Sequence, residues 1–381
     1  MNNRKASPGM RNPFTLGIVQ RKDFCNREAE IKDLLRHARN GNNVILFSPR
    51  RYGKSSLTRI VLELLEKEGF LTVYVDLFPI SSEQDFISRF SSGILKGIGR
   101  GVDPRGLGDR IANLFKRLIP SIEVKPEGYA LSVKFDQTAE TGLLLDDLLE
   151  GLYAYVRKRK LKACIALDEF QEITELPESK KIEGILRSHI QLQKEITYFY
   201  VGSRRRILND MFLNKSRPFY KSGFSYTLKK IAAEEFVPYI EKRFKDTGKI
   251  CPEEIAKEMH DRVRGYPYYV QKLASIAWDI SEKKCDGKVL ENAHQALVSM
   301  ETIDFEGIWS GLTLIQKALL KAIAKEPTAS PYGREFLERH RLSIGGTQRA
   351  MKALFSRDLI EQDDQNIYKL TDPVMETWLR E

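Results

Sequence analysis

The sequence predicts an α/β fold: a parallel five-stranded sheet with helices on both faces, then a helical segment and a C-terminal unit of three helices and a hairpin. Three observations carry that expectation. Strand-sized apolar runs alternate with helical periodicity up to about residue 232, the pattern of a parallel sheet joined by crossover helices. From Ala233 onward the strand signals stop. The last stretch reads helix, helix, helix and two short strands, which is the order of a winged helix.

Residues 1–22 are polar and basic and read as a loosely held arm. Residues 23–232 read as the α/β domain. Its first helix spans Arg27–Arg39 and ends at Asn40-Gly41-Asn42-Asn43, a cluster of helix-stopping residues. Val44–Phe47 is a strand, Lys54–Lys67 a helix, Thr72–Leu77 a strand, and a helix runs from Glu83 to about Leu95. Residues 97–141 interrupt the pattern with a Gly/Arg-rich turn region and a short helix near Arg110–Leu118. The alternation in Ser121–Lys125 and Ala130–Phe135, around Pro126-Glu127-Gly128, reads as an inserted hairpin. A helix over Leu143–Arg159 returns the chain to the sheet, which Cys164–Asp168, Thr197–Val201 and Tyr226–Leu228 complete.

Residues 233–309 read as a helical lid, with helices at Glu234–Asp246, Pro252–Val263, Tyr268–Ser281 and Val289–Thr302. Residues 310–381 hold the helices Thr313–Lys325, Arg334–His340 and Thr347–Arg357, then Ile360–Gln362 and Ile367–Leu370 about a turn at Asp363–Asn366.

Bulk properties narrow the function classes. With 42% hydrophobic and 30% charged residues, the chain has the balance of a globular protein. No apolar run approaches the roughly 20 residues of a membrane helix, and the N-terminus lacks the apolar core of a secretory signal. Cys25, Cys164, Cys251 and Cys285 lie far apart without CxxC spacing, which favours reduced thiols and a cytoplasmic setting. The five histidines form no ligand pattern, so a protein-bound transition metal is not expected. A formal charge of +10 favours an anionic partner such as nucleic acid; it also suits plain solubility.

One segment carries chemistry. Ser48-Pro49-Arg50-Arg51-Tyr52-Gly53-Lys54-Ser55-Ser56 lies between an apolar strand and an amphipathic helix, the setting of a phosphate-binding P-loop. In that reading backbone N–H groups cradle the phosphates of ATP or ADP, Lys54 reaches the β- and γ-phosphates, and Ser55 ligates Mg²⁺. The first glycine of GxxxxGK[ST] is replaced by Ser48, which the loop tolerates where φ stays negative. A second motif, Ala163-Cys164-Ile165-Ala166-Leu167-Asp168-Glu169, ends an apolar strand in two carboxylates. Asp168 is expected to serve the Mg²⁺ shell, and Glu169 to orient or deprotonate the attacking water. Ser203 follows the next strand and is placed to contact the γ-phosphate or that water. Arg204, Arg205 and Arg206 suit either an anion site or a solvated helix face. Arg217 is a candidate arginine finger, acting within the chain or from a second copy in a homo-oligomer.

Several of these segments together resemble one family. Phe24-Cys25-Asn26-Arg27-Glu28, the loop Pro49–Leu57, Leu167-Asp168-Glu169-Phe170-Gln171, Gly265-Tyr266-Pro267 and Tyr368–Pro373 with Trp378-Leu379 are similar to the motifs of archaeal-type ATPases. These belong to the STAND branch of AAA+-like proteins and share features with origin-recognition ATPases. The resemblance implies an AAA+-like P-loop core, a lid whose Gly265 and Pro267 border the adenine, and a winged helix repositioned by nucleotide state. It covers nearly the whole chain except the arm and residues 97–141, and it departs from the family at Ser48 and Asn26.

The anionic partner is sought in the winged helix. Arg339, Arg341, Arg349, Lys352 and Arg357 fall in a stretch without acidic residues. On Thr347–Arg357 the apolar Ala350, Met351 and Leu354 share one face and Arg349 and Lys352 point elsewhere, as in a helix that grips DNA phosphates. The expectation is an ATPase that repositions its winged helix on DNA. The rival expectation is a signalling switch with little hydrolysis, whose C-terminal domain binds protein.

Overall fold

The computed structural model describes residues 11–17, 21–100, 111, 114–125, 128–136, 138–363 and 365–381. The chain divides into two compact units, one built on Arg27–Lys229, the other on Lys230–Glu381 with Asp23–Asn26 and the arm.

The first unit opens with α1 (Glu28–Arg39), β1 (Val44–Phe47), α2 (Lys54–Lys67), β2 (Leu71–Asp76) and α3 (Glu83–Gly99). An antiparallel hairpin, β3 (Ile119–Lys125) and β4 (Gly128–Lys134), forms its own small sheet. Then follow α4 (Thr141–Lys158), β5 (Ala163–Asp168), a 3₁₀ turn at Phe170–Glu175, α5 (Ser179–Ile190), β6 (Ile196–Gly202), α6 (Arg205–Leu213) and β7 (Phe224–Thr227). The main sheet is parallel throughout, in the order β2-β5-β6-β1-β7. Every residue of β1, β5 and β6 is buried, as expected where helices cover both faces of a parallel sheet. β7 exposes most of its side chains and closes one edge.

Two regions of this unit differ from the sequence expectation. Helix α5 is unanticipated, because Ser179-Lys180-Lys181 and Arg187-Ser188-His189 dilute the apolar signal of Ile182, Leu186 and Ile190, which are buried. The short helix expected near 110–118 falls partly outside the described residues. Of its described residues, Ile111 is helical and 114–118 are not: the backbone N–H groups of Lys116, Arg117 and Leu118 donate to the buried Asp147 carboxylate at 2.7, 2.6 and 3.1 Å. The expected turn residues Pro126 and Glu127, like most of the Gly/Arg-rich stretch before them, lie outside the described residues.

The second unit runs α7 (Ala233–Asp246), α8 (Glu253–Arg262), α9 (Pro267–Ile280) and the long α10 (Gly287–Ser310). After these come α11 (Leu314–Lys325), α12 (Arg334–Arg339), α13 (Ile344–Ser356), the hairpin β8 (Ile360–Gln362) and β9 (Tyr368–Leu370), and α14 (Pro373–Arg380). A β-bridge from Thr328 to Tyr368 adds a third strand position to that hairpin. Helix α10 extends eight residues beyond the expected Thr302, because Phe305 and Trp309 pack on Trp378 of α14 with ring centroids 5.8 and 5.9 Å away.

The arm is less loose than its polarity suggests. Most of it lies outside the described residues, but Phe14 is buried against Phe244 and Tyr239, and the Asn12 amide donates to the Ser275 carbonyl at 3.0 Å. All four cysteines are buried. No described helix is long and apolar enough to cross a membrane.

Candidate functional site

Three adjacent strands deliver the site. β6 lies between β5 and β1, and all three run parallel, so their C-terminal ends point the same way. Ligands of open α/β sheets bind at that end. The loop after β1, the Asp168-Glu169 pair ending β5 and Ser203 after β6 therefore meet at one rim.

The loop itself is tightly made. Gly53 sits at φ 84° and Arg51 at φ 68°, the left-handed region that brings successive backbone N–H groups to one side. A side chain at Gly53 would meet open space, so the requirement there is conformational. Ser48 keeps an ordinary φ, which is how the loop dispenses with its first glycine. The Lys54 ammonium donates to the Ser48 and Pro49 carbonyls, each at 2.9 Å. It is held inside the loop, nearly buried, and burial drives its pKa down to about 8, against the opposing charges of Glu169 and Asp168. Ser56 is buried in the first turn of α2, and Arg50 and Arg51 are exposed.

A residue outside the loop braces it. Arg27 adopts a left-handed φ of 64° just before α1 and is 1% exposed. Its guanidinium donates to the carbonyls of Tyr52 at 3.1 Å and Lys229 at 2.9 Å, and pairs with Glu30. The signal for it was present in the Asn26-Arg27-Glu28 segment, though that segment gives no hint of what the arginine touches.

Asp168 is the second anchor. Its Oδ2 accepts from Ser55 Oγ at 2.6 Å and from the Tyr74 hydroxyl at 2.5 Å, and its Oδ1 from the Glu169 N–H at 3.0 Å. Burial pushes the Asp168 pKa up, and the two hydroxyl donors pull against it. Sequence reasoning missed Tyr74, which sits on β2, a strand without a motif.

Glu169 follows at φ 51°. Its Oε2 accepts from Ser203 Oγ at 2.9 Å and from the Gln171 amide. Gly202 makes room for this arrangement, since a Cβ there would lie 2.1 Å from Gln171 Oε1. Behind it Phe170 is fully buried, its ring 4.7 Å from Tyr200 and 5.5 Å from Phe219. Each such aromatic pair is worth about 1 kcal/mol, and together they fix the strained residue at the rim.

The other candidates are placed elsewhere. Arg217 forms an ion pair with the fully buried Glu183; a finger role requires that pair to open. Arg204 pairs with Glu175 at 3.2 Å, and Arg205 lies over the Phe47 ring. Of the five winged-helix cations, Arg339 pairs with Glu326 at 2.6 Å and Arg357 donates to the Gly311 carbonyl at 3.0 Å. Arg341, Arg349 and Lys352 are exposed.

Gly265 and Pro267 belong to the second unit. Pro267 opens α9 at its first position, where its missing N–H costs nothing. The segment is joined to the winged helix: Arg264 donates to the Leu370 carbonyl at 2.7 Å, the Tyr266 hydroxyl to the Thr371 carbonyl, and the Tyr269 hydroxyl to Asp372 at 2.5 Å. Arg264 also pairs with Glu376 of α14 at 3.3 Å.

Comparison with known proteins gives the fold and the family. No curated protein sequence matches the chain. Among solved structures, a Walker-type ATPase of Pyrococcus abyssi is similar at a TM-score of 0.66 and 17% identity, over 95% of this chain and 97% of that one. The ORC2 protein of Aeropyrum pernix, in ADPNP and ADP complexes, is similar at 0.58 and 16% identity, over 94% of each chain. At such identities the likeness establishes the fold. Residues 303–381 match the model of a "probable winged helix domain". Residues 24–273 match that of an ATPase domain predominantly from Archaea, and on that match the chain belongs to this ATPase family.

Proposed function

We propose that this ATPase binds ATP with Mg²⁺ on the Ser48–Ser56 loop, hydrolyses it through Glu169, and uses nucleotide state to reposition its lid and winged helix on DNA. The observation that carries the reading is the convergence of Lys54, the Ser55–Asp168 pair and the Ser203–Glu169 pair on three adjacent strand ends.

The residues present fit the metal. Ser55 and Asp168 offer hard oxygen donors whose hydroxyl and carboxylate already touch, the donor type Mg²⁺ takes alongside phosphate oxygens. Bound there, Mg²⁺ supplies positive charge to the β- and γ-phosphates. The chain does the rest. Lys54 exchanges its two loop carbonyls for phosphate oxygens. Glu169, oriented by Ser203 and Gln171, accepts the proton of the attacking water. In this reading the domains follow the sequence: arm 1–22, ATPase core 23–232, lid 233–309 and winged helix 310–381.

A pH dependence follows. With a free-state pKa of about 8, Lys54 is partly neutral near that pH, whereas phosphate favours its ammonium. Nucleotide binding then takes up roughly half a proton at pH 8 and almost none at pH 6.5, and affinity falls as pH rises further. Calorimetry in two buffers of different ionisation enthalpy reads this uptake directly. Identical uptake at both pH values contradicts the role of Lys54. For the free protein, the unfolded chain binds more protons than the folded between pH 8 and the ordinary lysine value of 10.5, so this residue's penalty on stability lessens across that window.

The bonds from Arg264, Tyr266 and Tyr269 to the β9–α14 junction support a lid and winged helix that move together. Arg349 and Lys352 on α13 supply the DNA contact in this reading. Binding of duplex DNA is expected to weaken steeply with salt, and Arg349→Glu with Lys352→Glu to reduce both the affinity and the salt slope. Absence of binding at low salt sinks this part. It promotes the signalling-switch reading, which has its own support: Leu314 is 84% exposed and Ile344 57% exposed, large apolar side chains suited to a protein partner. A homo-oligomer completed by Arg217 requires release from Glu183.

A further inference from the structure

The bond from Tyr74 to Asp168 is built into the sheet. In the register of β2 and β5, Tyr74 stands opposite Ala166 and Asp76 opposite Asp168. Side chains two apart on a strand share a face, so Tyr74, Ala166 and Asp168 project to the same side. On α2, Ser55 and Arg59 are one turn apart and lie on one helix face. Ser55 reaches the same Asp168 oxygen as Tyr74, and the Arg59 guanidinium sits over the Tyr74 ring at 4.0 Å from its centroid. The carboxylate is thus gripped by a hydroxyl from the P-loop helix and a hydroxyl from the neighbouring strand.

These two donors have different fates in the proposed site. Ser55 is itself the expected Mg²⁺ ligand and gives up Asp168 when the ion arrives. Tyr74 has no such second task.

We propose that Tyr74 is a positioning residue that fixes the Asp168 carboxylate for Mg²⁺, both before and after the ion binds. The inference rests on the nucleotide-site reading above and adds to it a residue that carries no motif. Partners that orient a metal-site carboxylate typically contribute ten- to a hundredfold to metal affinity.

The test is Tyr74→Phe in the full chain, which removes one oxygen and keeps the ring that Arg59 covers. Binding of a fluorescent ATP analogue is followed while Mg²⁺ is titrated into metal-free protein, beside a thermal melt of the free protein. The expected result is a Mg²⁺ midpoint raised about tenfold, with metal-free analogue affinity and melting temperature near wild type. An unchanged midpoint overturns the inference, as does a fall in metal-free affinity equal to the fall with Mg²⁺, which marks Tyr74 as packing alone. Tyr74→His, which restores a ring donor, is expected to recover part of the midpoint; recovery by Tyr74→Leu instead overturns the inference. Failure of wild-type protein to bind the analogue at all refutes the nucleotide-site reading itself, an outcome separable from any behaviour of the variants.

Discussion

Replacing Lys54 by alanine is expected to abolish ATP binding at working concentrations. The side chain is nearly buried, and its ammonium makes two hydrogen bonds to the loop carbonyls of Ser48 and Pro49 in the free protein. In the proposed nucleotide-bound state these would become charge-assisted bonds to phosphate oxygens, each contributing about 2 kcal/mol. Their joint loss amounts to about 4 kcal/mol, or roughly a thousandfold in Kd. The free protein is not expected to unfold. Burial already works against the ammonium there, so removing it relieves a desolvation cost while leaving the Ser48 and Pro49 carbonyls to water. Equilibrium binding of labelled ATP, together with a melting curve, separates the two effects. A variant that binds ATP within tenfold of wild type contradicts the assignment.

Glu169→Gln is expected to have the opposite signature, intact binding and lost turnover. The substitution preserves size, and the amide oxygen still accepts from Ser203 Oγ, now 2.9 Å from the carboxylate. What disappears is the ability to accept a proton from water, a contribution of about two to four powers of ten in kcat. The surrounding packing predicts little structural response, because Phe170, Tyr200 and Phe219 hold the backbone from behind. Steady-state hydrolysis measured beside binding affinity provides the check. Equal losses in both quantities would show that Glu169 serves the loop's structure and not the reacting water.

Much of this was legible in the sequence, for reasons that differ by element. The strands β1, β5 and β6 announce themselves because a strand buried on both faces is an unbroken apolar run. Helix α2 was bounded correctly at Lys54 and Lys67, since the loop fixes its start and the following Gly69 its end. Helix α5 was missed because charged and polar residues dilute its apolar signal, and the C-terminal α14 because it is only eight residues long. Asp168 and Glu169 were legible as a pair by their place at a strand end.

Their partners were less so. The bond from Ser203 to Glu169 spans 34 residues and that from Tyr74 to Asp168 spans 94. Such contacts are set by the strand order β2-β5-β6-β1, which a single sequence does not disclose. Ser203 was expected to face phosphate or water, and in the free protein its hydroxyl donates to Glu169. Arg217 illustrates the converse: a motif-like position whose side chain has a buried partner, Glu183, that sequence distance concealed.

The most direct test of the site is the identity of the nucleotide each protein retains. Wild type, Glu169→Gln and Lys54→Ala are mixed with ATP and Mg²⁺, stripped of free nucleotide, denatured, and their bound nucleotide separated. The structure predicts ADP on wild type, ATP on Glu169→Gln and nothing on Lys54→Ala. ADP on Glu169→Gln in the same proportion as on wild type would contradict the account.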